Sequence, residues 1–118
     1  MSATRVFFAI WLVAAVPGVA LADARSDARA QVEFGIAVAQ KGLWKEALYR
    51  WERATQIDPT YAAAFNNLAI AYEQAGDFER ARKAYERATE LEPNNLQIRQ
   101  NFDLFREIND RTSRTQER

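Results

Sequence analysis

"AYERATELEP", residues 84–93, reads as the end of an amphipathic helix stopped by a proline, and nearly the same phrase, "RWERATQIDP", stands at residues 50–59. Glu52, Arg53, Ala54, Thr55 and Pro59 recur unchanged as Glu86, Arg87, Ala88, Thr89 and Pro93, while Trp51 becomes Tyr85 and Ile57 becomes Leu91. The offset is 34 residues throughout. A constant offset of that size is the signature of a repeat architecture, in which each unit buries its apolar face only against a neighbour.

Working outward, the spacing defines one unit over residues 62–95 and another over residues 28–61. In the later unit Phe65, Leu68, Ala69 and Tyr72 fall at i, i+3, i+4 and i+7, the stripe of a helix. Gly76 then ends that helix, Asp77 is placed to cap the next, and Phe78, Ala81, Tyr85 and Ala88 carry a second stripe as far as Pro93. The earlier unit repeats the plan with Phe34, Gly35 and Val38, then Gly42, then Trp44, Ala47, Trp51 and Ala54, then Pro59. Small residues at Gly35, Ala69, Ala47 and Ala81 allow two helices of a hairpin to approach closely, and the large aromatics fill the spaces between hairpins.

After Asn94-Asn95, "LQIRQNFDLFREIND" starts a third unit without finishing it. Ile98, Phe102, Phe105 and Ile108 form one apolar stripe, whereas Arg99, Asp103 and Arg106 stand where a partner helix of the same unit would pack. That pattern predicts a capping helix over residues 96–109, apolar on one side and charged on the other. Residues 110–118 lack periodicity and are expected to form a mobile tail.

The chain begins differently. Arg5 is followed by "VFFAIWLVAAVPGVALA", a charge-free apolar run ending in the small-x-small pattern Ala20-Leu21-Ala22. These features favour a signal peptide over residues 1–22, cleaved before Asp23, over a retained anchor: the run is short for a span, and Pro17-Gly18 interrupts it. With 16 basic and 16 acidic residues the charge is balanced, and losing the leader removes Arg5 alone, so nothing argues for nucleic acid or an anionic membrane. Cysteine and histidine are both absent. Disulfides, lipid attachment through cysteine, and zinc or haem sites with their usual ligands are thereby excluded, and no Asp-rich calcium loop occurs, so no cofactor or metal is expected. The carboxylates Glu73, Glu79, Glu86, Glu90 and Glu92 have the spacing of exposed helix faces, often beside Arg, and the chain is not expected to be an enzyme.

The sequence resembles the tetratricopeptide repeat family. The likeness rests on Phe65, Leu68, Ala69, Tyr72, Ala81, Tyr85, Ala88 and Pro93 in one unit and on Phe34, Gly35, Ala47, Trp51, Ala54 and Pro59 in the other. The first unit departs from the pattern at Gln31 and Val38, as suits a terminal repeat with one face in solvent. The resemblance implies an all-α, right-handed α-α superhelix of two helix-turn-helix repeats with a C-terminal capping helix. It also implies a concave groove walled by the first helix of each unit. Carried over position by position, the groove residues are Val32, Glu33, Ile36 and Gln40, then Asn66, Asn67, Ile70, Glu73 and Gln74, then Asn101. Ala39, Ala63, Gln97, Gln100 and Leu104 complete the surface. The family's clamp for the C-terminal carboxylate of chaperone tails is represented by Asn67 alone, with Val32 and Ile36 where the clamp has polar or basic groups.

Two functions remain open at this point. One is an exported binding module, holding a protein or peptide segment in the groove as an adaptor of an envelope complex. The other is a structural subunit that stacks on itself or in a membrane-associated assembly, since roughly three repeats are usual for a stable solenoid and this chain has fewer. The groove is favoured because the capping helix closes the C-terminal end. The expected location is periplasmic or secreted in a bacterium, with no membrane contact once the leader is gone, and homo-oligomers belong to the second reading.

Overall fold

The first described helix, α1, spans Pro17–Gln40. There follow α2 (Trp44–Ile57), α3 (Ala62–Gln74), α4 (Phe78–Leu91) and α5 (Leu96–Gln116). The computed structural model describes residues 17–118, with side chains from residue 21 onward, and the described residues form five helices and no strand. α1 packs on α2 and α3 on α4 as two hairpins; α2 joins the hairpins by packing on α3, and α5 lies on α4.

Each hairpin turns on a glycine. Gly42 (φ +79°) and Gly76 (φ +74°) adopt the left-handed conformation that other residues rarely tolerate. The residue after each glycine donates its N–H back across the turn, Leu43 to the Val38 carbonyl at 3.0 Å and Asp77 to the Tyr72 carbonyl at 2.9 Å. Asp77 then caps α4 by accepting from the Arg80 N–H at 3.1 Å, and Asn95 caps α5 by accepting from the Ile98 N–H at 3.2 Å.

Alanines at the crossings bring the helices together. Ala47, Ala54, Ala81 and Ala88 are fully buried, and between them sit Trp51 and Tyr85, 2% and 1% exposed. Trp51 donates its indole N–H to the Val32 carbonyl at 3.1 Å. Tyr85 meets Phe102 and Phe105 with ring centroids 5.5 and 5.4 Å away, which is how α5 is held on the second hairpin. The charged face of α5, Arg99, Asp103 and Arg106, is exposed.

Four sequence-based expectations need correction. Phe34 is not part of the buried stripe: it is 47% exposed under the Arg50 guanidinium, 4.2 Å from its ring centroid, and the buried residues of α1 are Ala28, Val32, Gly35 and Val38. Among the described residues no helix packs on that face of α1, so Ala30, Phe34 and Ala37 are exposed where their counterparts Ala64, Leu68 and Ala71 are buried. α1 also starts well ahead of residue 28. The expected tail is helical as far as Gln116, because nothing in that stretch breaks a helix. No Gly or Pro occurs there, Arg111 pairs with Glu107, and Thr112, Ser113 and Thr115 bond the carbonyls four residues back. Finally, the packed face of α5 ends at Phe105, leaving Ile108 53% exposed.

The signal-peptide expectation falls largely on residues 1–16, outside the described residues, and Ala20-Leu21-Ala22 lies within α1. Among the described residues no helix is long and apolar enough to cross a membrane.

Candidate functional site

The first helices of successive units, α1, α3 and α5, share one side of the molecule and leave three connected hollows there. The largest, about 390 Å³, is lined among others by Val32, Glu33, Ile36, Asn66, Asn67, Ile70 and Asn101. Ile36, Asn67 and Ile70 continue into a second of about 300 Å³, which adds Gln40, Trp44 and Trp51. Ile70 and Asn101 continue into a third of about 180 Å³ with Glu73, Tyr85 and Leu104. Nine of the ten groove residues read from the sequence therefore meet along one surface. Gln74, the last residue of α3, is exposed and lines none of the three hollows.

Residues of this wall differ in what they offer. Val32 and Asn66 are floor, 4% and 7% exposed, and Val32 packs into the core while its carbonyl holds Trp51. Asn66 accepts through Oδ1 from Asn101 Nδ2 at 3.2 Å, a side-chain bond between α3 and α5. Asn67 donates Nδ2 to the carbonyl of Ala63 in its own helix at 2.8 Å. Asn67 and Asn101 thus each spend one of their two amide N–H donors inside the wall. Glu73 is braced from behind, accepting from the Tyr85 hydroxyl; burial and that carboxylate together push the Tyr85 hydroxyl far up, so it stays a donor.

Sequence reasoning missed Arg29, Tyr61, Asn95 and Ile98, which also line the largest hollow. Arg29 precedes Glu33 by one helical turn and could have been found on that ground. Tyr61 and Asn95 stand 34 residues apart, each just before the first helix of a unit, so the repeat itself carried that signal. A second missed feature buttresses the groove. Arg25 Nε lies 2.6 Å from Asp58 Oδ2, its Nη2 donates to the Thr60 carbonyl and hydroxyl at 3.2 Å, and its guanidinium covers the Tyr61 ring at 4.7 Å. Asp58 is 4% exposed. Burial pushes its carboxyl up, but bonds from Thr60 and from Arg25 outweigh this and hold it below the usual aspartate value of 3.8.

Among the described residues no group of three or more acidic side chains could hold a metal ion. The wall is a surface of aliphatic and aromatic side chains, amides, two carboxylates and the Arg29 guanidinium.

Comparison with known proteins bears on the fold. The tetratricopeptide repeat profile matches residues 62–95, and a TPR repeat profile matches residues 35–76. No curated protein matches the chain. Among solved structures, the first TPR of Spaghetti (RPAP3), bound to HSP90 peptide SRMEEVD, is 21% identical, with 71% of this chain and 94% of that chain covered at a TM-score of 0.45. Together the two profile matches run from residue 35 to residue 95, more than half of the chain, and the protein carries tetratricopeptide repeats.

Proposed function

We propose that this protein is a non-catalytic, exported binding module that holds a segment of another protein against the α1–α3–α5 wall. The observation that carries the reading is the continuity of the three hollows, joined through Ile36, Asn67, Ile70 and Asn101. A concave surface with aliphatic groups among a few polar ones is the form that ligand sites take. The apolar run and its small-x-small end support export, and the role proposed is that of an adaptor of an envelope complex in the periplasm or outside the cell.

The test is affinity capture from the native envelope fraction with the full chain and with its Ile36→Asp, Ile70→Asp variant, the contact mapped by cross-linking. Proteins cross-linked to α1, α3 or α5 by the parent and lost by the variant support the reading. Capture that survives the double change removes the groove from it.

A second reading, self-association as a structural subunit, is favoured by one observation. Ala30, Phe34 and Ala37 form the exposed face of α1 that corresponds to a buried face of α3. Light scattering over a concentration series separates the two: a monomer at every concentration leaves the groove, and a dimer abolished by Phe34→Asp supports stacking.

A further inference from the structure

One row of the wall keeps its character through all three helices. Ile36, Ile70 and Leu104 stand at intervals of 34 residues on α1, α3 and α5, with Ile36 39% and Leu104 57% exposed. Ile36 and Ile70 line one hollow and Ile70 and Leu104 the next, so the three form a single aliphatic ladder across the concave side. Beside the ladder stand Glu33 and Glu73. Arg29 is the one cation lining these hollows among the described residues, and it sits one turn before Glu33. Asn67 and Asn101 each spend one of their two amide N–H donors within the wall and keep a carbonyl oxygen and one N–H for a partner.

The occupant that complements this wall brings aliphatic side chains at the spacing of the ladder, and hydrogen-bond donors or positive charge beside them. α1 and α3 are in contact, and helices that pack lie ~8–10 Å apart, which sets the scale for the step from Ile36 to Ile70. Residues seven apart on an α-helix lie ~10.5 Å apart on one face, whereas alternate residues of a strand lie only ~6.7 Å apart. A helix also arrives with its backbone groups already paired, while an extended chain would bring a row of unpaired carbonyls and N–H groups to a wall where Asn67 and Asn101 have one N–H each to spare. From this charge and spacing we infer that the groove binds a cationic amphipathic helix of a partner protein, its aliphatic heptad stripe lying on Ile36, Ile70 and Leu104 and its basic residues meeting Glu33 and Glu73. This rests on the groove reading above and names the chemistry of its ligand.

Fluorescence anisotropy on the full chain tests it with four labelled synthetic peptides of about eighteen residues. One carries leucines in heptads with lysines beside them, one replaces the lysines by glutamates, one replaces the leucines by serines, and one breaks the Leu/Lys helix with a central proline. The Leu/Lys peptide should bind at least tenfold more tightly than the other three. Ile70→Ser, and Glu33→Gln with Glu73→Gln, should each weaken it about tenfold while circular dichroism stays unchanged. Glutamine still accepts from Tyr85, so the second variant removes charge and keeps the brace. Equal binding of the Leu/Glu peptide overturns the cationic partner, and equal binding of the proline peptide overturns the helix. If the Leu/Lys peptide binds and Ile70→Ser has no effect, the ladder is not the contact. Groove-dependent capture of a native segment that is acidic or extended would sink this inference and leave the binding-module reading standing.

Discussion

A side-chain carbon built on Gly35 would lie 2.3 Å from the Trp51 indole nitrogen, and that nitrogen donates to the Val32 carbonyl, one turn before Gly35 on the same helix. The absent side chain and the buried tryptophan are thus one device: α1 and α2 approach closely enough for the indole to hydrogen-bond the backbone of α1 only because residue 35 has no Cβ. In α3 the same position is Ala69, and its hairpin is filled by Tyr85 in place of Trp51. Gly35→Ala should gain up to ~1 kcal/mol of helix propensity and still destabilise. The ring must move, giving up its hydrogen bond and incurring an overpacking penalty of ~1–3 kcal/mol. Urea unfolding followed by circular dichroism checks the sign: a midpoint at or above the parent's would mean that the indole has room to shift.

Ala81→Leu should destabilise more than Arg82→Ala. Ala81 is fully buried in the α3–α4 hairpin, where overpacking costs ~1–3 kcal/mol. Arg82 is half-buried, its guanidinium 5.5 Å from the Phe105 ring centroid, so its removal should cost up to ~1 kcal/mol through a loosened α5. Thermal melts of both variants decide it, and equal shifts would mean that the helix register is wrong.

Arg25 and Asp58 predict a pH dependence. The Asp58 carboxyl is held below its unfolded value of 3.8, so the native state favours the ionised form. Its contribution is present above about that pH and is lost as the pH falls through the lower folded value. Arg25→Gln strips one donor from a buried carboxylate that Thr60 still serves, and should cost ~1–3 kcal/mol at pH 7. Urea midpoints of parent and variant should converge as the pH falls below 3.8, and a constant gap down to pH 2 would remove Asp58 from the explanation.

The repeat period, both hairpins, the turn glycines, the Asp77 cap and the capping helix were legible in the sequence because they depend on local spacing. That nine of the ten carried-over residues share one side was legible for a related reason, since a residue's place within a unit decides which side of the helix it occupies. What escaped depended on neighbours. Phe34 carries the apolar character of Leu68, yet only a preceding hairpin could bury it. Arg25 reaches Asp58 across 33 residues from outside either unit, and no periodicity points there. The use of the Asn67 and Asn101 amide donors within the wall follows from side-chain geometry, which residue type alone does not determine.

The mature protein should begin at Asp23, read by mass spectrometry of the exported form. The structure adds a reason to care which bond is cut. Cleavage before Asp23 leaves Arg25 inside a helical turn, whereas cleavage after Ala24 makes it the terminal residue, where helix ends fray. The shorter form should melt lower than the longer. A mature protein that keeps Met1 and partitions with membranes would replace the leader with an anchor.

Asn101 and Asn67, which occupy the same register on successive helices, should respond differently to loss of their side chains. Asn101→Ala strands the Asn66 amide oxygen, which is nearly buried and accepts from Asn101 alone among the described side chains. Leaving such a group unpaired costs ~1–3 kcal/mol, and the loss should fall on the docking of α5 against α3. Asn67→Ala removes only a bond to a carbonyl of its own helix, and should stay within ~0.5 kcal/mol. Hydrogen–deuterium exchange reads the difference: amides of α5 should exchange faster in Asn101→Ala and unchanged in Asn67→Ala. Asn67→Ala is therefore the clean probe of the groove, because weaker partner binding there cannot be traced to a displaced α5. In Asn101→Ala, lost binding mixes a missing contact with a moved wall, and restoring it with Asn66→Leu, which removes the stranded oxygen, would identify the wall as the cause. If α5 exchanges at the parent's rate in Asn101→Ala, the bond between the two asparagines does not hold that helix, and the contacts of Phe102 and Phe105 with α4 hold it instead.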